Sequence, residues 1–325
     1  MSGINGVGPG LSNYGQLQVL LTDNLGIRQK LTVAQEQASS GLISQTYAGL
    51  GANARTSLDL RPQILHEQTW QSNIDAATGR LSATQTALAG ISSIASNILA
   101  QTASLNGLDS SSPTTVANLA RQGLEQVAQL LNTRVGDVYV FAGQDSANAP
   151  LPDTSSATLA PALLASDTAV APFSTTLGGS PPTVQVGQGA SVQIGLLANK
   201  NTLVTSAPPS TGSYMRDILR ELAVLTTVST GPTLQATAAD ARTRLRGAIS
   251  AIATETGSLG NIQSDLERRK TQSAATVVTL QTQVSGAQDV DMAATLSRMT
   301  ALQAQLQSSY QIIASLRELT LSKYI

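Results

Sequence analysis

Both ends of the chain carry an apolar repeat with alternating spacings of three and four residues, and the helix-breaking residues are concentrated between them. From about Asn13 to Ser40 the repeat runs through Leu17, Leu20, Asn24, Ile27, Leu31, Ala34 and Ala38. Near the C-terminus it runs through Met299, Leu302, Leu306, Ile313 and Leu316. Such spacing predicts helices whose apolar seams need a partner helix. A layout symmetric about its middle brings the two termini together, so these helices pair with each other or with copies from neighbouring chains. Asn24 stands in the seam, where a polar residue sets register at some cost in stability. Any single seam could be intramolecular core. The terminal ones are the better candidates for contacts between chains, since chain ends are commonly disordered unless something ties them down. The candidate assembly interface is therefore Leu17, Leu20, Asn24, Ile27 and Leu31 at one end. At the other end it is Met299, Leu302, Leu306, Ile313 and Leu316.

Between the ends the period changes twice. A helical stretch from about Ala54 to Asn106 tolerates Pro62 with a kink or break, and its seam is Ile74, Ala77, Leu81, Thr84, Leu88, Ile91, Ala95 and Ile98. Gly107 and the cluster from Asp109 to Pro113 end it, and a third helix follows to about Thr133. Residues 135–142, VGDVYVFA, are rich in β-branched and aromatic types and predict a strand. From Gly143 to Gly212 Pro, Gly, Ser and Thr dominate, which rules out a long helix; Thr183 to Leu197 alternates around Gly-Gln-Gly and predicts a β-hairpin. Helix returns from Tyr214 to Val228. After a break at Gly231-Pro232 it runs from about Thr233 to Ser285, with the seam Leu245, Ala248, Ile252, Glu255, Leu259, Ile262 and Leu266. Asp289 and Asp291 then stand where a helix start favours carboxylates.

The expected fold is mainly α, a long antiparallel coiled coil or helical bundle formed by the N- and C-terminal segments, with a small β-containing central insert. The expected domains are a terminal coiled coil (1–45 with 286–325), a helical rod (46–142 with 213–285) and a β-rich insert (143–212).

Composition narrows the function classes. The chain has no cysteine and one histidine, His66. Disulfides and thiolate chemistry are excluded, and a histidine-based triad would have to use His66, which lies on a helix with Leu65 and Trp70 and reads as a packing or surface residue. No G-x-S-x-G or H-E-x-x-H motif occurs, and Gly6-Val-Gly-Pro-Gly10 lacks the Lys-Ser/Thr of a phosphate loop. The carboxylates are scattered, so no catalytic residue, metal site or cofactor is expected. With a net charge of −1 and no long basic run, nucleic acid is not an expected partner. No apolar run is long enough to span a bilayer, and the first residues do not form a Sec signal peptide. Only 12% of residues are charged. That suits a surface covered by neighbours and equally the low-charge surface of an ordinary secreted protein.

The residues also resemble a known family. Gln37-Ala-Ser-Ser-Gly41, Trp70-Gln-Ser-Asn-Ile-Asp75 and the stretch from Arg80 to Leu88 are similar to the N-terminal block of bacterial flagellins and of flagellar hook–filament junction proteins. Val138-Tyr-Val-Phe-Ala-Gly143 is similar to the close of that block in junction proteins. Asp289-Val-Asp291, the Gln303/Gln305 region and the ending Leu321-Ser-Lys-Tyr-Ile325 are similar to the terminal helix. The resemblance implies a structural subunit of the extracellular flagellum, a filament flagellin or a junction protein. It also implies export without a cleaved Sec signal peptide, an export chaperone, and assembly with itself and other axial proteins. The acidic motif usual after the Ser-Ser-Gly block is absent from residues 44–53. Outside the family, the competing reading is a non-flagellar secreted helical coiled-coil interaction protein.

Overall fold

A computed structural model describes residues 9–105, 112–165, 172–206 and 209–321 of the protein. The turn expected at Gly107–Asp109 and residues 322–325 of the C-terminal motif lie outside them, as does the Gly6–Gly8 part of the glycine-rich N-terminus. The architecture is mainly α, as the periodicity predicts. In chain order it comprises α1 (Pro9–Ser40), α2 (Asn53–Gln101), α3 (Ser112–Leu131), β1 (Arg134–Val135), β2 (Val138–Tyr139) and α4 (Ser156–Ala165). There follow β3 (Thr183–Gly187), β4 (Ala190–Gln193), α5 (Tyr214–Thr226), α6 (Leu234–Gln288) and α7 (Met292–Leu321). The chain forms two compact units, Met1–Leu65 with Val277–Ile325, and His66–Thr276; the 143–212 segment belongs to the second.

In the first unit α1 ends at Gly41, whose φ of 72° is the left-handed conformation that stops a helix without steric cost. Its N–H donates to the Gln37 carbonyl at 2.9 Å, and the Gln37 side-chain amide reaches over the stop to the Ile43 carbonyl at 2.9 Å. The Gln-Ala-Ser-Ser-Gly motif is thus a helix terminator with its own side-chain brace. α2 runs through Pro62 as one continuous helix where the sequence predicts a kink or break. Pro62 is exposed, so water can serve the carbonyl that its missing N–H leaves open.

The second unit holds the main core. Every member of the α2 seam from Ile74 to Ile98 is buried, Thr84 included. Along α6 the residues Leu245, Ala248, Ile252, Glu255, Leu259 and Leu266 are buried, while Ile262 is half-buried and packs against the core. α3 and α4 pack on α5. Gly123 lets α3 approach closely: an added Cβ would lie 3.2 Å from Ile94 Cγ2.

Residues 135–142 do not form one strand. Gly136 turns the chain at φ 59°, β1 and β2 pair antiparallel across it, and Val140, Phe141 and Ala142 leave the ladder for the core. The Thr183–Leu197 hairpin forms as β3 and β4, antiparallel, with a register shift between Gln185 and Gly187. The ten-residue α4, with Pro161 inside it, has no counterpart in the sequence reading; it seats Leu159, Ala160 and Leu163 in the core.

Candidate assembly interface

α1 and α7 pack against each other in the first unit, and the pairs along them run in opposite directions. Asn24 faces Ser309, Arg28 faces Tyr310, and Gly41 faces Val290. The helices are therefore antiparallel, and their 3–4 seams mesh. Leu20, Ile27 and Leu31 of α1, with Met299, Leu306 and Ile313 of α7, are half-buried, and Asn24 and Leu302 are buried. The side chains of Leu17 and Leu316 lie outside the described residues. The predicted seam residues that are described thus meet within one chain.

One layer of the seam is a polar pair. Asn24 Nδ2 donates to Ser309 Oγ at 2.9 Å, both residues being buried, and Asn24 Oδ1 has no partner. One turn on, Arg28 Nε donates to the Tyr310 hydroxyl at 2.9 Å, with the guanidinium 5.7 Å from the ring centre. Ser309 and Thr295 were missed by a reading that sought apolar types. The spacing alone reveals both, since they complete the series 295, 299, 302, 306, 309, 313.

At the end of this pair both chain breaks meet. Ile43 N–H donates to the Gln288 carbonyl at 2.7 Å, and Val290 N–H to the Gly41 carbonyl at 2.9 Å. The Asn53 amide reaches the Ala287 carbonyl at 3.2 Å, and Arg61 reaches Gln288 Oε1 at 3.3 Å. Asp291 caps α7, accepting from Ala294 N–H at 3.0 Å. Of the two predicted helix-start carboxylates, Asp291 is the one that accepts a backbone N–H.

Outside the seam the pair carries a second apolar set that the sequence reading passed over. Val19 and Leu25 are each 61% exposed, and Leu21, Val33, Met292, Leu296 and Ile312 are exposed as well. A groove of about 560 Å³ beside the seam is lined by Gly26, Lys30, Val33, Arg298 and Leu302 among others. The surface can bury apolar area against another helical surface.

His66 is exposed and stacks on half-buried Trp70, ring centres 6.2 Å apart. Among the described residues no group of three or more His, Cys, Asp or Glu could hold a metal, and no helix is long and apolar enough to cross a membrane. Two carboxyls in the second unit are shifted: burial pushes Glu221 and Glu255 each up to about 7. Arg244, 3.4 Å from Glu221, opposes that shift for Glu221.

Comparison with known proteins agrees with this arrangement. Residues 12–148 match the bacterial flagellin N-terminal helical region, and residues 243–325 match the bacterial flagellin C-terminal helical region. No curated protein matches by sequence. Among solved structures, a protein from Vibrio parahaemolyticus described as a flagellar hook-associated protein aligns with a TM-score of 0.58 at 12% identity. That alignment covers 75% of this chain and 99% of the other. FlgL from Bacillus cereus (TM-score 0.52, 15% identity) and from Xanthomonas campestris (0.52, 14%) each align over 70% of this chain and 99% of their own. At such identities the likeness is one of fold. With both helical regions matched at their own ends of the chain and in order, over more than half its length, this protein belongs to the bacterial flagellin family and is a structural subunit of the flagellum.

Proposed function

We propose that the chain is a hook–filament junction subunit that joins neighbouring copies and other axial proteins through the outer face of its α1–α7 pair. The observation that carries the reading is the set of exposed apolar residues on that pair: Val19, Leu21, Leu25, Val33, Met292, Leu296 and Ile312. Exposed apolar surface concentrated on one pair of helices marks an interaction site. The predicted seam residues serve assembly by building the pair that presents this face. The terminal domain, 1–45 with 286–325, makes the contacts between subunits; the insert, 143–212, stays outside them. The junction role is favoured by the proteins that the fold resembles, which are described as FlgL or hook-associated, and by Val138–Gly143. The chain works outside the cell, is exported with a chaperone, and performs no catalysis.

The second reading, filament flagellin, rests on the match of both helical regions to flagellin. Immunogold electron microscopy with an antibody against residues 143–212 separates the two. Gold confined to a spot where hook meets filament is the expected result. Gold along the whole filament makes the chain a filament subunit.

A further inference from the structure

The insert returns to the helices of the second unit through residues 199–206 and 209–213, and two core carboxylates pin that return. Asp217 of α5 is the first. It accepts from Ser210 Oγ at 2.5 Å, from Thr211 N–H at 2.8 Å and from Thr211 Oγ1 at 2.7 Å, so both its oxygens are occupied. Two further bonds, each donated by a backbone N–H, close the loop between the pins. Asn201 N–H donates to the Gly212 carbonyl at 2.9 Å, and Tyr214 N–H donates to Asn201 Oδ1 at 3.0 Å.

The second pin is Glu255 of α6. It holds a position in the repeat that Leu245, Ala248, Ile252 and Leu259 otherwise fill, and its relative exposure is 0%. Thr202 Oγ1 donates to its Oε1 at 3.3 Å, and the Leu203 N–H also bonds to the carboxyl. Its Oε2 is buried with no hydrogen-bond partner, and so is the hydroxyl of Tyr214 from α5. Among the described residues no lysine or arginine is ion-paired with it, and Lys200 on the same loop is exposed. An ionised carboxylate there would lack both a counter-charge and a donor for one oxygen. The neutral acid needs no counter-charge.

We propose that Glu255 is a proton-operated latch: as the neutral acid it holds residues 199–206 of the insert against α6, and on ionisation it releases them. This device concerns the second unit and does not depend on the assembly reading. Burial raises the Glu255 carboxyl to about 7, against the opposing bonds from Thr202 and Leu203. The closed loop therefore binds the proton more tightly than the open one. The hold is complete below the ordinary carboxyl value near 4.5 and is lost as pH rises through about 7. Tyr214 is the ionisable group coupled to Glu255. Burial first, and the Glu255 charge second, push its hydroxyl far above its ordinary value, so it stays neutral throughout.

Hydrogen exchange of the full chain, corrected for the intrinsic pH dependence of exchange, tests the latch. For one carboxyl moving between about 4.5 and about 7, the opening constant of residues 199–206 rises roughly 70-fold from about pH 5 to about pH 8. Glu255→Gln, which keeps the shape and removes the proton, is expected to abolish that rise. Glu221→Gln, at the other shifted carboxyl, is expected to leave it intact. An unchanged rise in Glu255→Gln, or a flat profile in the native protein, overturns the proposal. Should Glu255→Gln fail to fold, carboxyl-carbon NMR titration of Glu221→Gln decides. One glutamate titrating near neutrality supports the latch, and all titrating in the ordinary range refutes it.

Discussion

Asn24 and Ser309 meet at 2.9 Å in a seam otherwise built largely of Leu, Ile, Met and Ala. A slip of one heptad between α1 and α7 would set Asn24 near Leu302 and bury its amide without a partner, at a cost of about 1–3 kcal/mol. The pair therefore selects one register while contributing less stability than a leucine would. Asn24→Leu is expected to raise stability by about 1 kcal/mol, seen as a shift in the urea midpoint of the full chain, and to loosen the register. A fall of that size would show that the pair stabilises rather than selects. Gly143 makes the opposite case. Its φ is 69°, and an added Cβ would sit 2.5 Å from Leu197 Cδ2. Gly143→Ala is expected to lower stability by about 2 kcal/mol or more, from backbone strain and overpacking together, by the same measurement. Asn24, Glu255 and Gly143 were all visible as positions in a pattern. The partner atom that gives each its energy was not, because it lies far along the chain or on another helix.

Long seams were the most legible elements, because a 3–4 repeat sustained over many turns admits no other period. All eight α2 positions from Ile74 to Ile98 are buried as that repeat requires. Short elements were not legible in the same way. Residues 135–142 have strand composition, yet Gly136 folds them into a two-residue ladder, because a positive φ at that position reverses the chain. α4 was hidden by its proline. Prolines exclude a long helix, but ten residues that bury Leu159 and Leu163 can accept one missing backbone bond. The outer apolar face of α1 and α7 escaped a search that looked for one seam per helix. Deleting 289–325 removes α7 and, with it, the partners of Asn24, Arg28 and the Gly41 carbonyl. That deletion is expected to abolish assembly while the second unit keeps its helical signal in circular dichroism. Polymer formed by the truncated chain would contradict the role given to the terminal helices.

At the scale of the molecule, low charge and exposed apolar residues point the same way. A surface with only 12% charged residues behind it is costly to leave bare when Val19, Leu25 and Ile312 stand out of it. Family membership supplies the setting, a flagellar polymer, and the exposed apolar residues of α1 and α7 are the proposed face. The most direct measurement introduces Val19→Glu together with Leu25→Glu, two exposed positions outside the seam, and asks where the protein goes. Immunoblots of purified flagella and of culture medium are expected to show the variant secreted and folded but missing from flagella. Normal incorporation of that variant would contradict the claim that the outer face of α1 and α7 joins subunit to subunit.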